Sequence, residues 1–316
     1  MNLKLIMFSQ KLTTLSEEEF RRKRYQAGYL NTIRFEHYLI TSQPQIGSFE
    51  HFSKQENEKK NRYPDIICWD ASRVKITQKN CDTDYIHANF VDHYETSRKF
   101  IIATQGPLKE TIDQFWQMAW EQNSRIIIML TKFQVAGEEK CAKYWNADNP
   151  QVKFQAGELS IKIVDVTQSS DYITTIFEVF NCTTEESRLI MHYQYLDWPD
   201  QKVPPKCESL MKLIIDMTEE HQKILRKATN APTGPVIVHC SAGIGRTGSF
   251  CATNLCITQL AKTGKISVPE IVMQVRKQRR SSVFAVEQYV FIYTVLYEFL
   301  RLFDMYPEVK QLFCES

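Results

Sequence analysis

Apolar residues are distributed along this chain in three distinct patterns, and each predicts a different element. Two runs, 100–103 (Phe-Ile-Ile-Ala) and 126–130 (Ile-Ile-Ile-Met-Leu), are apolar throughout, as expected of strands covered on both faces. Between them, residues 111–122 carry Ile112, Phe115, Trp116, Ala119 and Trp120 at helical spacing. Residues 73–76 and 85–91 alternate, and three further strand patterns at 159–166, 172–181 and 189–195 follow one another as an expected antiparallel meander. Residues 17–38 predict a charged helix and 55–62 a polar loop. The last third predicts a helix over 208–225, a buried strand at 235–239, and helices over 246–262, 268–279 and 285–303. No Gly/Ser/Pro-rich linker or internal repeat divides the chain, so the pattern predicts one α/β or α+β domain, with helices around a mixed sheet.

Composition narrows the class of function. The chain has 316 residues, of which 43% are hydrophobic and 24% charged, enough apolar material for a core that needs no disulfide or metal. The net charge of +2 lacks the basic bias of a dedicated nucleic-acid binder, although a local pocket can still be positive. The nine cysteines are scattered and form no Cys-x-x-Cys pair, which reads as reduced intracellular thiols and argues against structural zinc. The N-terminal apolar run is too short for a signal-peptide core, and no stretch approaches membrane-span length. These features predict a cytoplasmic or nuclear enzyme-sized domain, with the cytoplasm as the expected location.

One segment carries most of the chemistry: Val236-Ile237-Val238-His239-Cys240-Ser241-Ala242-Gly243-Ile244-Gly245-Arg246-Thr247-Gly248. A buried strand ends at Cys240, a loop of small residues follows, and a helix starts near Arg246. The amides of Ser241, Ala242, Gly243, Ile244 and Gly245 can converge on one anion, and the glycines permit the tight path. Arg246 adds a planar fork suited to two phosphate oxygens. A thiol of pKa roughly 8.5 drops by several units in such a setting, and the thiolate is the nucleophile. Thr247 is placed to donate its hydroxyl to the sulfur, and His239 to orient the loop without acting as a base. A buried cysteine before a Gly-rich helix start is the commoner fate of any single Cys, but the full spacing weighs against that reading. No Lys-Ser/Thr follows the glycines, which disfavours a nucleotide loop.

Expelling a phenolate, whose conjugate acid has a pKa of about 10, needs a proton donor. The segment Asp197-Trp198-Pro199-Asp200 followed by Pro204-Pro205 is a loop in which Trp198 can anchor a hinge and Asp200 can act first as acid, then as base. Taken alone it also fits an acidic turn around a buried Trp. Residues 239–248 and 198–200 together resemble the signature loop and the mobile acid loop of the tyrosine-specific protein phosphatase family, of the non-receptor, cysteine-dependent type. Asn61-Arg62-Tyr63, residues 84–89, residues 103–107, Lys140-Cys141 with Tyr144-Trp145, and Glu287-Gln288-Tyr289 match it as well. The resemblance covers about 17–303, leaving 1–16 and 304–316 as short tails. It implies the protein tyrosine phosphatase fold, a twisted mixed sheet flanked by helices in a single domain, and phosphotyrosine proteins as substrates. It also implies that Tyr63 stacks on the substrate ring in a pocket too deep for phosphoserine, that Asp65 holds the substrate backbone, and that Gln288 places the hydrolytic water. No metal or organic cofactor is implied, and no nucleic-acid partner.

Several positions depart from the family pattern. Phe284 stands where a first glutamine usually precedes Gln288, so hydrolysis of the phosphocysteine is expected to lag. The usual acidic partner of the signature arginine falls on Val135, with Glu138 or Glu139 as substitutes. Gln201-Lys202 replaces a pair containing glycine, and His87 an asparagine. These departures leave open a slow domain that binds and traps phosphotyrosine proteins. Dual-specificity and lipid phosphatases share the Cys-to-Arg loop but generally lack the Asn-Arg-Tyr segment. The variant loops faintly resemble phosphatases of parasitoid-wasp viruses (bracoviruses), which would imply the host-cell cytoplasm. Arg276-Lys277-Gln278-Arg279-Arg280 reads as dipole compensation and a solvated face, with acidic residues flanking phosphotyrosine or a nuclear signal as alternatives.

Overall fold

The computed structural model describes residues 14–77, 83–96, 98–199, 202–227 and 233–315. Nine strands form one sheet: β1 (Arg73–Lys75), β2 (Tyr85–Asp92), β3 (Lys99–Thr104), β4 (Ile126–Met129), β5 (Phe154–Ala156), β6 (Leu159–Gln168), β7 (Tyr172–Asn181), β8 (Ser187–Tyr195) and β9 (Val236–His239). Their spatial order is β1-β2-β3-β9-β4-β8-β7-β6-β5. The centre is parallel, with β9 between β3 and β4 and with β8 beside β4, while both flanks are antiparallel. The sheet is therefore mixed and the domain α/β, as expected, and residues 159–195 form the expected meander.

The unbroken apolar runs are explained by what covers them. Ile101, Ala103, Ile126, Ile128, Val236 and Val238 point into one core cluster. Ile102, Ile127, Met129 and Ile237 point into the other. Successive side chains of a strand face opposite sides, so both parities must be apolar when helices cover both faces. Helices α1 (Glu17–Lys23), α2 (Tyr29–Thr41), α3 (Ile112–Glu121), α4 (Glu208–Lys227), α5 (Arg246–Thr263), α6 (Val268–Gln278), α7 (Val286–Met305) and α8 (Pro307–Cys314) complete the fold. Phe115 and Trp116 of α3 pack in the second cluster, whereas α4 to α8 contribute to the first.

Two boundaries differ from expectation. The single helix expected over 17–38 is two: α1 starts on a reciprocal cap between Ser16 and Glu19, and Gly28, at φ 73°, breaks the path before α2. The fold also continues past 303 and before 17. Phe313 of α8 is fully buried against Phe299 and Phe303, and Leu15–Ser16 pairs with Lys265–Ile266. Among the described residues, no helix is long and apolar enough to cross a membrane.

Candidate active site

Strand β9 delivers Cys240 from the middle of the sheet to the start of α5, with the turn 240–245 between them. Gly243 adopts φ 70°, and a Cβ there would run into the Thr104 carbonyl, so both the backbone sign and the close approach demand glycine. Gly106 is pressed as tightly from outside: a Cβ would stand 2.7 Å from the Cys240 carbonyl oxygen, and its amide donates to Ser241 O at 2.8 Å. The Gly243 amide points at the thiol, 3.2 Å from Sγ. Among the described residues, no backbone carbonyl takes up the amides of Ser241, Ala242, Ile244 or Gly245, so these donors remain for an anion.

Cys240 is 3% exposed. Burial alone would raise its pKa, but the Arg246 guanidinium, the Thr247 hydroxyl and amide, and the Gly243 amide outweigh it, and the thiol is drawn below its ordinary range. The Thr247 hydroxyl is buried and lacks a partner of full hydrogen-bond geometry. It faces the thiol, where an ionised sulfur would accept a hydrogen bond from it. Burial drives other cysteines the opposite way: Cys68 and Cys207 are pushed up to about 11, and Cys141, Cys251 and Cys256 higher still.

Around the loop lies a cavity of about 290 Å³, bounded by Tyr63, Asp65, Ile66, Lys140, residues 240–242 and 244–246, Phe284, Ala285 and Gln288. Tyr63 Oη and Ser241 Oγ are 2.9 Å apart. Gln288 is buried and abuts Gly245, while Phe284 is 64% exposed at the mouth. A larger cavity of about 400 Å³ lies between α1 and the start of α6, but it holds none of the loop residues, and chemistry rather than size selects the smaller one. Arg246 is 4% exposed, and its Nη1 donates to Thr131 Oγ1 and Trp198 O, both at 3.3 Å. Glu138 instead pairs with Lys140 at 2.8 Å, and Glu139 with Arg62 at 3.6 Å. Trp198 is buried between Tyr195 and Phe291, and its indole donates to Lys202 O at 3.0 Å. Asp200 and Gln201 lie outside the described residues.

The sequence reading missed what several supporting residues hold, Arg279 above all. Arg279 belongs to the basic cluster expected to be a solvated face, yet it is 0% exposed, and Arg276 is 7% exposed. The Arg279 fork donates to Gly243 O and Ala242 O, both at 3.0 Å, and to His87 Nδ1 and Asn89 Oδ1 at 3.0 and 2.8 Å. His87 Nε2 in turn meets Ile66 O at 2.7 Å, linking the Tyr63 segment to the phosphate loop. A signal existed: residue 279 continues the buried stripe Val268, Ile271, Val272, Val275 at helical spacing. Arg62 donates to Gly106 O and Pro107 O at 3.1 and 2.8 Å.

His239 is fully buried and held neutral, its pKa lowered to about 4 by burial. Its Nδ1 lies 3.1 Å from Cys240 O and its Nε2 lies 2.9 Å from Tyr144 Oη, which also meets His192 Nε2 at 2.7 Å. One proton arrangement satisfies all three contacts. His192 Nε2–H donates to Tyr144, Tyr144 O–H donates to His239 Nε2, and His239 Nδ1–H donates to the Cys240 carbonyl. It leaves His192 Nδ1 as a bare acceptor, and that atom has no partner.

The family model described as Protein-tyrosine phosphatase matches residues 57–298. The chain is 36% identical over 291 residues to the rat (Rattus norvegicus) Tyrosine-protein phosphatase non-receptor type 9, covering 88% of this chain and 49% of that protein. It is 34% identical over 304 residues to Tyrosine phosphatase H3 of Microplitis demolitor bracovirus (isolate Webb), covering 90% and 94%. With Tyrosine-protein phosphatase 69D of Drosophila melanogaster it shares 39% over 249 residues, covering 77% and 16%. The chain thus spans about half the length of the non-receptor type 9 relatives, and the expected likeness to phosphatases of parasitoid-wasp viruses holds as a similarity.

Proposed function

Because this chain belongs to the protein-tyrosine phosphatase family, we propose that it hydrolyses phosphotyrosine in proteins through a phosphocysteine on Cys240. The observation that carries this reading is a buried thiol drawn toward its thiolate beneath a ring of uncommitted amides and beside Arg246. In the first step, the Sγ lone pair attacks phosphorus and the bond to the phenolic oxygen breaks. That oxygen takes its proton from Asp200 as it leaves. In the second step, water attacks phosphorus, its proton passes to Asp200, and the S–P bond breaks to release phosphate and regenerate the thiolate. The loop amides and the Arg246 fork hold the non-bridging oxygens through both steps.

Tyr63 is the wall against which the substrate ring lies, tied to the loop through Ser241. Asp65 at the rim holds the substrate backbone, and Gln288 beside Gly245 orients the water. His239 supports the loop as a neutral group, and Trp198 anchors the loop that carries Asp200. Phosphate release from a phosphotyrosine peptide tests the reading and separates turnover from trapping. Cys240→Ser is expected to lower release by at least about a thousandfold, and Asp200→Ala by about a hundredfold or more. Equal release from a phosphothreonine peptide would overturn the tyrosine specificity.

A further inference from the structure

At the mouth of the Cys240 cavity, one side chain takes no part in the two chemical steps above. Phe284 is 64% exposed, yet the backbone that carries it is pinned on every side. The Val283 amide donates to Ile244 O at 3.0 Å, and the Val283 carbonyl lies 3.0 Å from His37 Nε2. The Ser281 amide donates to Gln45 Oε1 at 3.1 Å, Arg276 Nη1 donates to Ser282 O at 2.7 Å, and the Ala285 amide donates to Gln288 Oε1 at 3.3 Å. Ser281 and Val283 both hold left-handed backbone, at φ 60° and 55°. For a β-branched residue this is an outlier that persists only when its surroundings over-determine it. The result is an apolar ring on a fixed stretch of backbone, standing in water on the lip of the Cys240 cavity.

We propose that Phe284 is a specificity-determining residue that selects phosphotyrosine sites flanked by a bulky apolar side chain. The inference rests on the phosphotyrosine reading above and names the substrate subclass. The phosphate and ring of the substrate occupy the depth of the cavity, against Cys240 and Tyr63. A ring that is two-thirds exposed at the mouth meets what lies beside the phosphotyrosine in the peptide. The backbone is pre-organised, so contact orders only the two side-chain torsions of the ring, and covering the ring is a net gain. The neighbouring positive charges compete weakly for that flank: Lys140 pairs with Glu138 at 2.8 Å. Arg276 is 7% exposed and engaged with Ser282 O, and the Arg280 guanidinium lies 5.1 Å from the centre of the Trp69 ring.

The test measures binding of phosphotyrosine peptides carrying Leu, Phe, Gly, Ser or Glu on either side, using the Cys240→Ser protein with and without Phe284→Ala. The expected result is that Leu or Phe flanks bind about three- to tenfold tighter than Gly or Ser flanks, and that this ratio falls towards one in Phe284→Ala. Because the ratio is taken within each protein, it is insensitive to any general loss of affinity. Equal affinity for all flanks, an apolar preference that survives Phe284→Ala, or a dominant Glu preference would overturn the proposal. Phosphate release by the unsubstituted protein is scored separately. Its absence would sink the hydrolytic reading while the binding ratio still decides the role of Phe284.

Discussion

One hydroxyl, on Tyr144, serves two buried imidazoles, and the directed chain from His192 to the Cys240 carbonyl depends on it. Removing that oxygen leaves polar atoms of His239 and His192 buried without partners, at a cost of about 1–3 kcal/mol. Tyr144→Phe is therefore expected to lower unfolding stability by about that much. It should also shift the pH profile of Cys240 alkylation upward, because the loop that holds the thiolate loses its support. Urea unfolding and pH-dependent iodoacetamide inactivation check both. Phe284 makes a different kind of case. A phenyl ring at the pocket mouth cannot hold a water by hydrogen bonds, whereas the amide of Gln288 can. Rapid mixing with an aryl phosphate should show a burst of phenol followed by a slower steady rate. In Phe284→Gln the burst should shrink and kcat rise by on the order of tenfold; a linear time course in the unsubstituted protein would count against this.

At the scale of elements, the phosphate loop takes its shape from partners outside itself. The end of α6 supplies Arg279 to the carbonyls of Ala242 and Gly243, and β2 supplies His87 and Asn89 to hold Arg279 in place. Turning those two carbonyls away from the cavity is what leaves the neighbouring amides facing it. A lysine at 279 keeps the charge but loses the planar fork. Arg279→Lys is expected to reduce kcat/KM for a phosphotyrosine peptide on the order of a hundredfold. Circular dichroism should show the fold retained, separating loop misplacement from unfolding. Trp198 is held in the same way, between Tyr195 and Phe291 and through its carbonyl on Arg246.

For the whole molecule, buried histidines link stability to pH, and His87, His221 and His239 show the size of the effect. Burial lowers the pKa of His87 to about 3 and those of His221 and His239 to about 4, from an ordinary value of 6.5. The unfolded chain therefore binds protons below pH 6.5 that the native state refuses. Stability is fully present above that pH and is lost as pH falls towards 4. Each group contributes up to about 1.4 kcal/mol per pH unit, so the three together remove on the order of 5 kcal/mol between pH 6.5 and pH 5. That is comparable to the whole stability of many domains. Thermal unfolding should shift to markedly lower temperature across this window, and a flat profile would contradict the buried neutral state of these rings.

The sequence by itself determined whatever is encoded in contiguous residues. The doubly covered strands β3, β4 and β9 were legible because their apolar runs leave no polar face. The cysteine loop was legible because nucleophile, turn glycines and guanidinium lie within seven residues, from Cys240 to Arg246. What Thr131, Tyr144, Arg62 and Arg279 hold was decided only by the tertiary structure. Their contacts join positions 36 residues apart for Arg279 and Gly243, 95 for Tyr144 and His239, and 115 for Arg246 and Thr131. Periodicity reports which face of an element is covered and not what covers it. A charged residue on a buried stripe therefore looks like surface until folding brings the carbonyls that neutralise it.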